Sequence, residues 1–315
     1  MTLVADKPVA SRAVGAAAGP AVSGRLVAAA GFAVLAFAAD GARGSAPLAF
    51  AAVLILAVGL PHGASDHLLA LRGEPPRPQL GRLTAFLAAY LGAAGAMLAF
   101  WQASPGVVLA AFLLLSAVHF AIDDVHARSW KARTAERFAR GLMPITLPAL
   151  LHEDALAQLF GLLSTPQDGI TLARLAGWLA PLVLLAAVGA ALSRVRHRDR
   201  EGAAEIALGA TALIVFSPLV GFALVFALIH SHGETRERMQ RLDLPTLPAY
   251  LRACAPTLVG AALFFAGLAL WLSQGPAPAL GSIFIGLAAL TVPHMLVTPL
   301  FTRDGTASGA SPQRR

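Results

Sequence analysis

Four histidines stand at or near the ends of four apolar segments of this chain. His62 ends one segment, His119 nearly ends a second, His230 ends a third, and His294 lies in the last turns of a fourth. Imidazole is the commonest biological ligand for divalent transition metals, and a polar group at membrane depth is costly unless it is paired or bound. If the four ends lie at one face of a bilayer, they would form a metal site in a helix bundle.

The residues that follow His230 offer further ligands. The sequence reads HSHGE over residues 230–234. Helix positions four apart share a face, whereas positions two apart point nearly opposite ways, so Glu234 can join His230 at a metal and His232 can do so only where the helix has ended. A carboxylate with three histidines suits non-haem iron that keeps open positions for dioxygen. The alternative for Glu234 is a salt bridge with Arg238, four residues on.

Two aspartates lie one helical turn beyond two of the histidines. Asp66 follows His62 by four residues, and Asp123 follows His119 by four. If each helix continues, the carboxylate shares the face of the histidine and can accept its second imidazole N–H, which fixes the tautomer of a metal ligand. The alternative is that both aspartates are solvated loop residues.

The elements that must position these side chains are apolar segments. Of the 315 residues, 57% are hydrophobic and 13% are charged, a balance that a soluble domain of this length would not tolerate. We therefore expect an all-α, polytopic transmembrane helix bundle with about ten membrane segments, some of them short or broken by proline. The segments are residues 26–39, 46–60, 83–101, 107–122, 138–151, 172–192, 204–216, 219–229, 257–272 and 280–300.

Charges between the segments predict the topology. Ser217-Pro218 interrupts residues 204–229, and interpreting this stretch as two segments puts every arginine-rich loop on one side. Basic loops favour the cytoplasmic side, so both termini are expected in the cytoplasm of a cell that carries the protein in its inner membrane. The net charge of +7 is thus interpreted as a topology signal and not as a nucleic-acid surface.

One membrane domain accounts for most of the chain. We expect a flexible N-terminus at residues 1–24, a single integral membrane domain at residues 25–301, and a disordered tail at residues 302–315. A signal peptide is the alternative for residues 26–39, but the loop charges need that crossing to keep their parity.

Five short motifs follow one another with an order and spacing that extend over roughly residues 46–300. They are GLPHGASD at residues 59–66, SAVHF at 116–120, RGLMPITLP at 140–148 with His152 behind it, residues 226–231, and VPHM at 292–295. In these motifs the chain resembles the Brp/Blh family of bacterial and archaeal β-carotene 15,15'-dioxygenases.

This resemblance implies an integral membrane enzyme that cleaves β-carotene centrally into two molecules of retinal with iron(II) and dioxygen. The family's iron ligands carry over to His62, His119 and His230. The family's next ligand is a histidine four places after the residue matching His230, where this sequence has Glu234. Glu234, His294 and, less favoured, His232 therefore remain candidates for the fourth ligand.

The partners implied are β-carotene and dioxygen as substrates and the lipid bilayer, with no nucleic acid. A retinal-accepting rhodopsin is a further candidate. One rival is another membrane metalloenzyme, such as a zinc hydrolase; a second is a non-enzymatic transporter or retinal-protein assembly factor whose histidines relay protons. Polyene contacts are expected from aromatic residues, namely Phe112, Phe120, Phe222, Phe226 and Trp101.

Overall fold

All regular structure in the described part of the chain is helical. The computed structural model describes residues 31–42, 44–72, 76–123, 130–272 and 279–302, and no strand occurs among them. The all-α prediction is confirmed. The predicted flexible N-terminus and, except for Thr302, the predicted disordered tail lie outside the described residues.

The helices of the described residues differ widely in length, and two π-helical stretches lie between them. In chain order they are α1 (Gly31–Asp40), α2 (Ala46–Leu54), π1 (Ile55–Gly59), α3 (Leu60–Ala64), α4 (Asp66–Leu71), α5 (Pro76–Ala103), α6 (Pro105–Asp123), α7 (Trp130–Thr146), α8 (Ala149–Leu163), α9 (Pro166–Arg196), α10 (Arg200–Val215), α11 (Pro218–Val225), π2 (Phe226–Ser231), α12 (His232–Arg241), α13 (Leu247–Leu272), α14 (Ala279–Leu296) and α15 (Thr298–Thr302).

Within the described ranges, six helical stretches are long and apolar enough to cross a membrane. They are Ala46–Leu71, Gln79–Ala103, Pro105–Ile122, Pro166–Arg196, Leu247–Trp271 and Ile283–Thr302. Large apolar side chains such as Val107, Leu185 and Trp178 point outward and are exposed. Such a surface is stable in lipid and not in water. The chain is therefore a membrane protein, while the predicted number of about ten segments is not confirmed.

Residues 204–229 form two helices, as the Ser217-Pro218 break predicts. Phe216 and Ser217 have extended backbone, with ψ values of 156° and 152°, and α11 begins at Pro218. Both oxygens of Asp40 accept hydrogen bonds from Ser217, and the bond from its backbone N–H to Oδ2 is 3.1 Å long. The end of α1 therefore lies beside the start of α11.

The prediction of one segment at residues 138–151 was wrong. The helix stops at Thr146, and α8 begins at Ala149. Proline disfavours helical backbone in the residue before it and lacks an amide donor, so Pro148 separates the two helices. A further departure from helical geometry occurs at His152, with φ −133° and ψ 37°.

Packing brings the histidine-bearing elements together. Helix α14 contacts α5, α6 and α13, α11 contacts α2, and the two π stretches contact each other. One apolar core lies between these elements and includes Ile55, Phe120, Val220, Phe226 and Leu287. The ends of α3, α6, π2 and α14 consequently meet around this core.

Candidate metal centre

The four histidines of the apolar segments form a closed ring. Ring centroids are 5.3 Å apart for His62 and His230, and 5.3 Å apart for His62 and His294. They are 5.0 Å apart for His119 and His230, and 5.4 Å apart for His119 and His294. Neighbouring rings are nearly perpendicular, with interplanar angles from 75° to 89°. Four separate elements, α3, α6, π2 and α14, thus bring one imidazole each to a single place.

A break in the helix sets the orientation of His62. The π1 stretch ends at Gly59, and the Nδ1 atom of His62 hydrogen-bonds to the Gly59 carbonyl oxygen. Tyr250 on α13 donates a hydrogen bond of 2.8 Å to the Pro61 carbonyl, and Thr257 donates one of 2.6 Å to the Ala64 carbonyl. With Nδ1 occupied in this way, Nε2 is the nitrogen of His62 that remains for a metal.

His230 lies in π2 against aromatic rings. The Phe226 ring stacks on it at 5.7 Å, and the Phe120 ring meets it edge-on at 4.8 Å. The Nε2 atom of His230 is buried and makes no hydrogen bond to the described residues, while the residue has other contacts. A Cβ atom at Gly59 would lie 2.5 Å from the Phe226 ring, so only glycine lets π1 approach π2 this closely.

Asp66 orients His294. Its Oδ2 atom accepts hydrogen bonds from His294 Nδ1 at 2.7 Å and from the Thr298 hydroxyl at 2.8 Å. Its Oδ1 atom accepts from Arg238 Nη1 at 2.6 Å. The helix breaks at Ser65, so Asp66 does not continue the face of His62 and reaches the imidazole of another helix instead.

Glu234 and His232, two of the other predicted ligands, have different surroundings. Glu234 Oε2 is 3.7 Å from Arg238 Nε, the separation of the salt bridge considered as its alternative role. The His232 side chain is exposed, whereas His62, His230 and His294 are buried and His119 is half-buried. The side chain of Asp123 lies outside the described residues.

Two carboxylates stabilise the charged form of the buried Arg238. Burial by itself lowers the pKa of this guanidinium, but the Asp66 carboxylate beside it and the nearby Glu234 outweigh burial and raise the pKa above its ordinary value. Arg238 therefore stays charged and donates to the carboxylate that contacts His294.

The donor set fits a transition metal in type and spacing. Two imidazoles on one metal, each through a nitrogen about 2.1 Å away, have ring centroids about 5 Å apart. As the side chains stand, however, no group of three or more His, Cys, Asp or Glu residues in the described ranges is arranged to hold a metal ion. Rotation about the side-chain torsions changes the direction of each ring nitrogen. The rings are at a suitable separation, and their nitrogens need to turn to share an ion.

An apolar cavity of about 580 Å³ opens beside the four rings. All four histidines and Asp66 line it on one side, and phenylalanines and leucines of several helices form most of the rest. Four of the expected polyene contacts line the cavity, namely Phe112, Phe120, Phe222 and Phe226. Trp101, the fifth, packs with Met97 and Leu109 in a separate core cluster.

Sequence reasoning missed three residues that support the histidines. Tyr250 and Thr298 went unnoticed, and Arg238 was considered only as a partner of Glu234. Thr298 lies four residues after His294, so helical spacing could have identified it. No local signal identifies Tyr250, because its hydrogen bond joins residues 189 positions apart.

Comparison with known proteins agrees with the motifs. Residues 53–302 match the family described as beta-carotene 15,15'-dioxygenase. The chain is similar to the beta-carotene 15,15'-dioxygenase of the uncultured marine bacterium 66A03, with 30% identity over 267 residues that cover 80% of this chain and 93% of that protein. No solved structure matches the chain. Because the family match spans most of the sequence, this chain belongs to the beta-carotene 15,15'-dioxygenase family.

Proposed function

We propose that this protein cleaves β-carotene at its central double bond with dioxygen and forms two molecules of retinal. One carbon–carbon double bond and the oxygen–oxygen bond break, and two carbonyl groups form, so both oxygen atoms are accounted for. The observation that carries the proposal is the ring of four imidazoles on the wall of an apolar cavity.

Iron(II) is the proposed metal, with His62, His119 and His230 among its ligands. Imidazole nitrogens suit iron as well as zinc, and a set of three or four leaves positions open on a six-coordinate ion. When bound, iron(II) would supply the activation of dioxygen. The protein's own part is to hold the imidazoles at one point and to keep water from the cavity.

The aromatic residues beside the rings would position the polyene. Phe226 stacks on Phe222 with centroids 5.4 Å apart, and Phe226 and Phe120 both contact the His230 ring. Flat aromatic surfaces match the flat conjugated chain of a carotenoid, and burial of that chain is favourable because its entire surface is apolar. These phenylalanines would thus place the central double bond next to the histidines.

The bilayer would deliver the substrate. A long polyene partitions into lipid, so a cavity between membrane helices can receive it without a passage through water. We also propose that the protein lies in the inner membrane with both termini in the cytoplasm, and that a rhodopsin is a candidate acceptor of the retinal.

Expression in cells that accumulate β-carotene tests the function. We expect retinal in chromatograms of cell extracts, with loss of the orange colour. Exposed His197 offers a matched control, because His197→Ala removes an imidazole remote from the cavity and should leave retinal formation unchanged. A membrane-inserted protein that forms no retinal would contradict the proposal, and bound zinc in that protein would favour a hydrolase.

A further inference from the structure

We infer that His294 supplies the fourth imidazole ligand of this metal site, with Asp66 as its positioning residue, and that Glu234 serves as an ion-pair partner of Arg238. The inference rests on the proposed function, since it assumes that an ion binds among the histidines. It selects one fourth ligand among the three candidates that the sequence left open, which are Glu234, His294 and His232.

The first argument is the position of the His294 ring. Its centroid is 5.3 Å from that of His62 and 5.4 Å from that of His119. The pairs among the carried-over ligands are separated by 5.3 Å for His62 and His230 and by 5.0 Å for His119 and His230. The His294 ring therefore lies as close to His62 and His119 as the His230 ring does. It completes the ring of four on the side opposite His230.

The second argument is the hydrogen bond of its Nδ1 atom. A histidine that binds a metal through one nitrogen usually gives the other N–H to a carboxylate or a carbonyl. Asp66 accepts that hydrogen bond at 2.7 Å, and Arg238 and Thr298 hold the carboxylate in place. With Nδ1 bonded to Asp66, Nε2 is the nitrogen of His294 that remains for a metal, as it is for His62, whose Nδ1 bonds to the Gly59 carbonyl.

The third argument is the environment of Glu234. Its carboxylate is 3.7 Å from Arg238 Nε, and both side chains are largely buried, at 13% and 10% exposure. Arg238 already binds Asp66 through Nη1, so one guanidinium lies between two carboxylates. If Glu234 bound the metal, the buried Arg238 guanidinium would lose one of its two carboxylates. If Glu234 stays beside Arg238, it stabilises the charged guanidinium that holds Asp66.

Counting imidazoles in the wild-type protein tests the inference without any variant. The full chain would be purified in detergent, loaded with iron(II) and treated with nitric oxide, with its histidines labelled with ¹⁵N. Pulsed electron paramagnetic resonance should detect four coordinated imidazole nitrogens. Three would overturn the assignment of His294. Iron binding and retinal formation with three imidazoles would leave the proposed function intact, whereas a protein that binds no iron would overturn both.

Variants separate His294 from Glu234. We expect His294→Ala to lower iron affinity at least tenfold, Asp66→Asn to lower it about tenfold as a partner that orients a ligand, and Glu234→Gln to change it less than twofold. Helical content from circular dichroism shows whether each variant is folded. Loss of iron in folded Glu234→Gln together with retention in His294→Ala would overturn the inference in favour of Glu234.

Discussion

Two buried charge clusters in this molecule have similar composition but different surroundings. Asp66 accepts from Arg238, His294 and Thr298, whereas Glu136 accepts from Arg140 at 2.9 Å and from Arg194 at 2.6 and 3.0 Å. Asp66 lines the cavity beside the histidine ring. Glu136, only 1% exposed, joins α7 to α9.

The difference shows that burial of charge alone does not mark a functional site. Each carboxylate is compensated by arginine, as burial in an apolar bundle requires. Among the described residues, the Glu136 carboxylate binds arginines alone, so it serves to fix one helix on another. The Asp66 carboxylate keeps one oxygen for an imidazole and a hydroxyl, so it acts on a group that faces the cavity. We call these the scaffold cluster and the site cluster, respectively.

Substitution of the histidines beside the site cluster should cause the largest loss of retinal formation. His119→Ala and His62→Ala should each lower retinal formation by more than a hundredfold, because loss of a ligand leaves the metal site incomplete. Insertion depends on apolar helix length, so the amount of protein in the membrane should not change. Retinal in cell extracts and immunoblots of membranes measure the two effects. Near-normal retinal in either variant would show that the substituted imidazole is not a ligand on which the reaction depends.

A substitution in the scaffold cluster should lower the stability of the protein and leave its iron content unchanged. Glu136→Gln leaves two buried guanidinium groups without their shared carboxylate, and such a loss costs roughly 3–5 kcal/mol. We expect a lower melting temperature in detergent and an unchanged iron content per folded chain. Reduced iron in the folded variant would show that the two clusters are coupled and that their comparison is invalid.

Gly59, which packs against Phe226 beside the histidines, provides a test that concerns the site and not the scaffold cluster. Gly59→Ala would place a Cβ atom 2.5 Å from the Phe226 ring and displace a residue that contacts two of the histidines. We expect retinal formation to fall about tenfold, on the scale of a misplaced binding contact. Gly92→Ala on α5 is the matched control, since a Cβ there meets no atom within 4 Å. Equal activity of both variants would contradict the close approach of π1 and π2.

The smallest effect is expected at the edge of the scaffold cluster. The Gly202 amide and the Arg194 guanidinium lower the pKa of Asp199, whose side chain caps α10. A carboxylate with a depressed pKa stabilises the fold above its unfolded-state pKa, and this contribution disappears as the pH falls through the folded-state value. Asparagine also caps helices, so Asp199→Asn should cost only the ion pair with Arg194, about 0.2–1 kcal/mol at neutral pH and almost nothing well below pH 4. Melting temperatures at the two pH values provide the measurement, and a difference that persists in acid would refute this reasoning.

Sequence patterns predicted which histidines would meet. His62, His119, His230 and His294 each stand near the end of an apolar segment, and the alternation of basic loops predicts that those ends lie at one face. Helical spacing also predicted the neighbour of Glu234, since Arg238 follows four residues later and lies beside it.

Hydrogen bonds and ion pairs between residues far apart in the chain could not be predicted from local sequence patterns. Asp66 lies 228 positions from the imidazole that it orients, and the break at Ser65 directs it there. Arg140 and Arg194 belong to the arginine-rich stretches that follow predicted segments, yet both are buried against Glu136. Local periodicity cannot reveal such pairs, because the partners come from different helices.

The two π-helical stretches have a consequence for how the sequence can change in length. Each stretch lies at or just before a histidine of the ring, at His62 and at His230. A π turn holds one residue more than the α-helix around it, so removal of one residue would narrow it to an α turn. Such a deletion would displace the backbone at Gly59 in π1 or at His230 in π2 relative to the other rings, while leaving the segment apolar. Length in these two stretches is thus under tighter constraint than composition, and single-residue deletions should be far more damaging than apolar substitutions at the same positions.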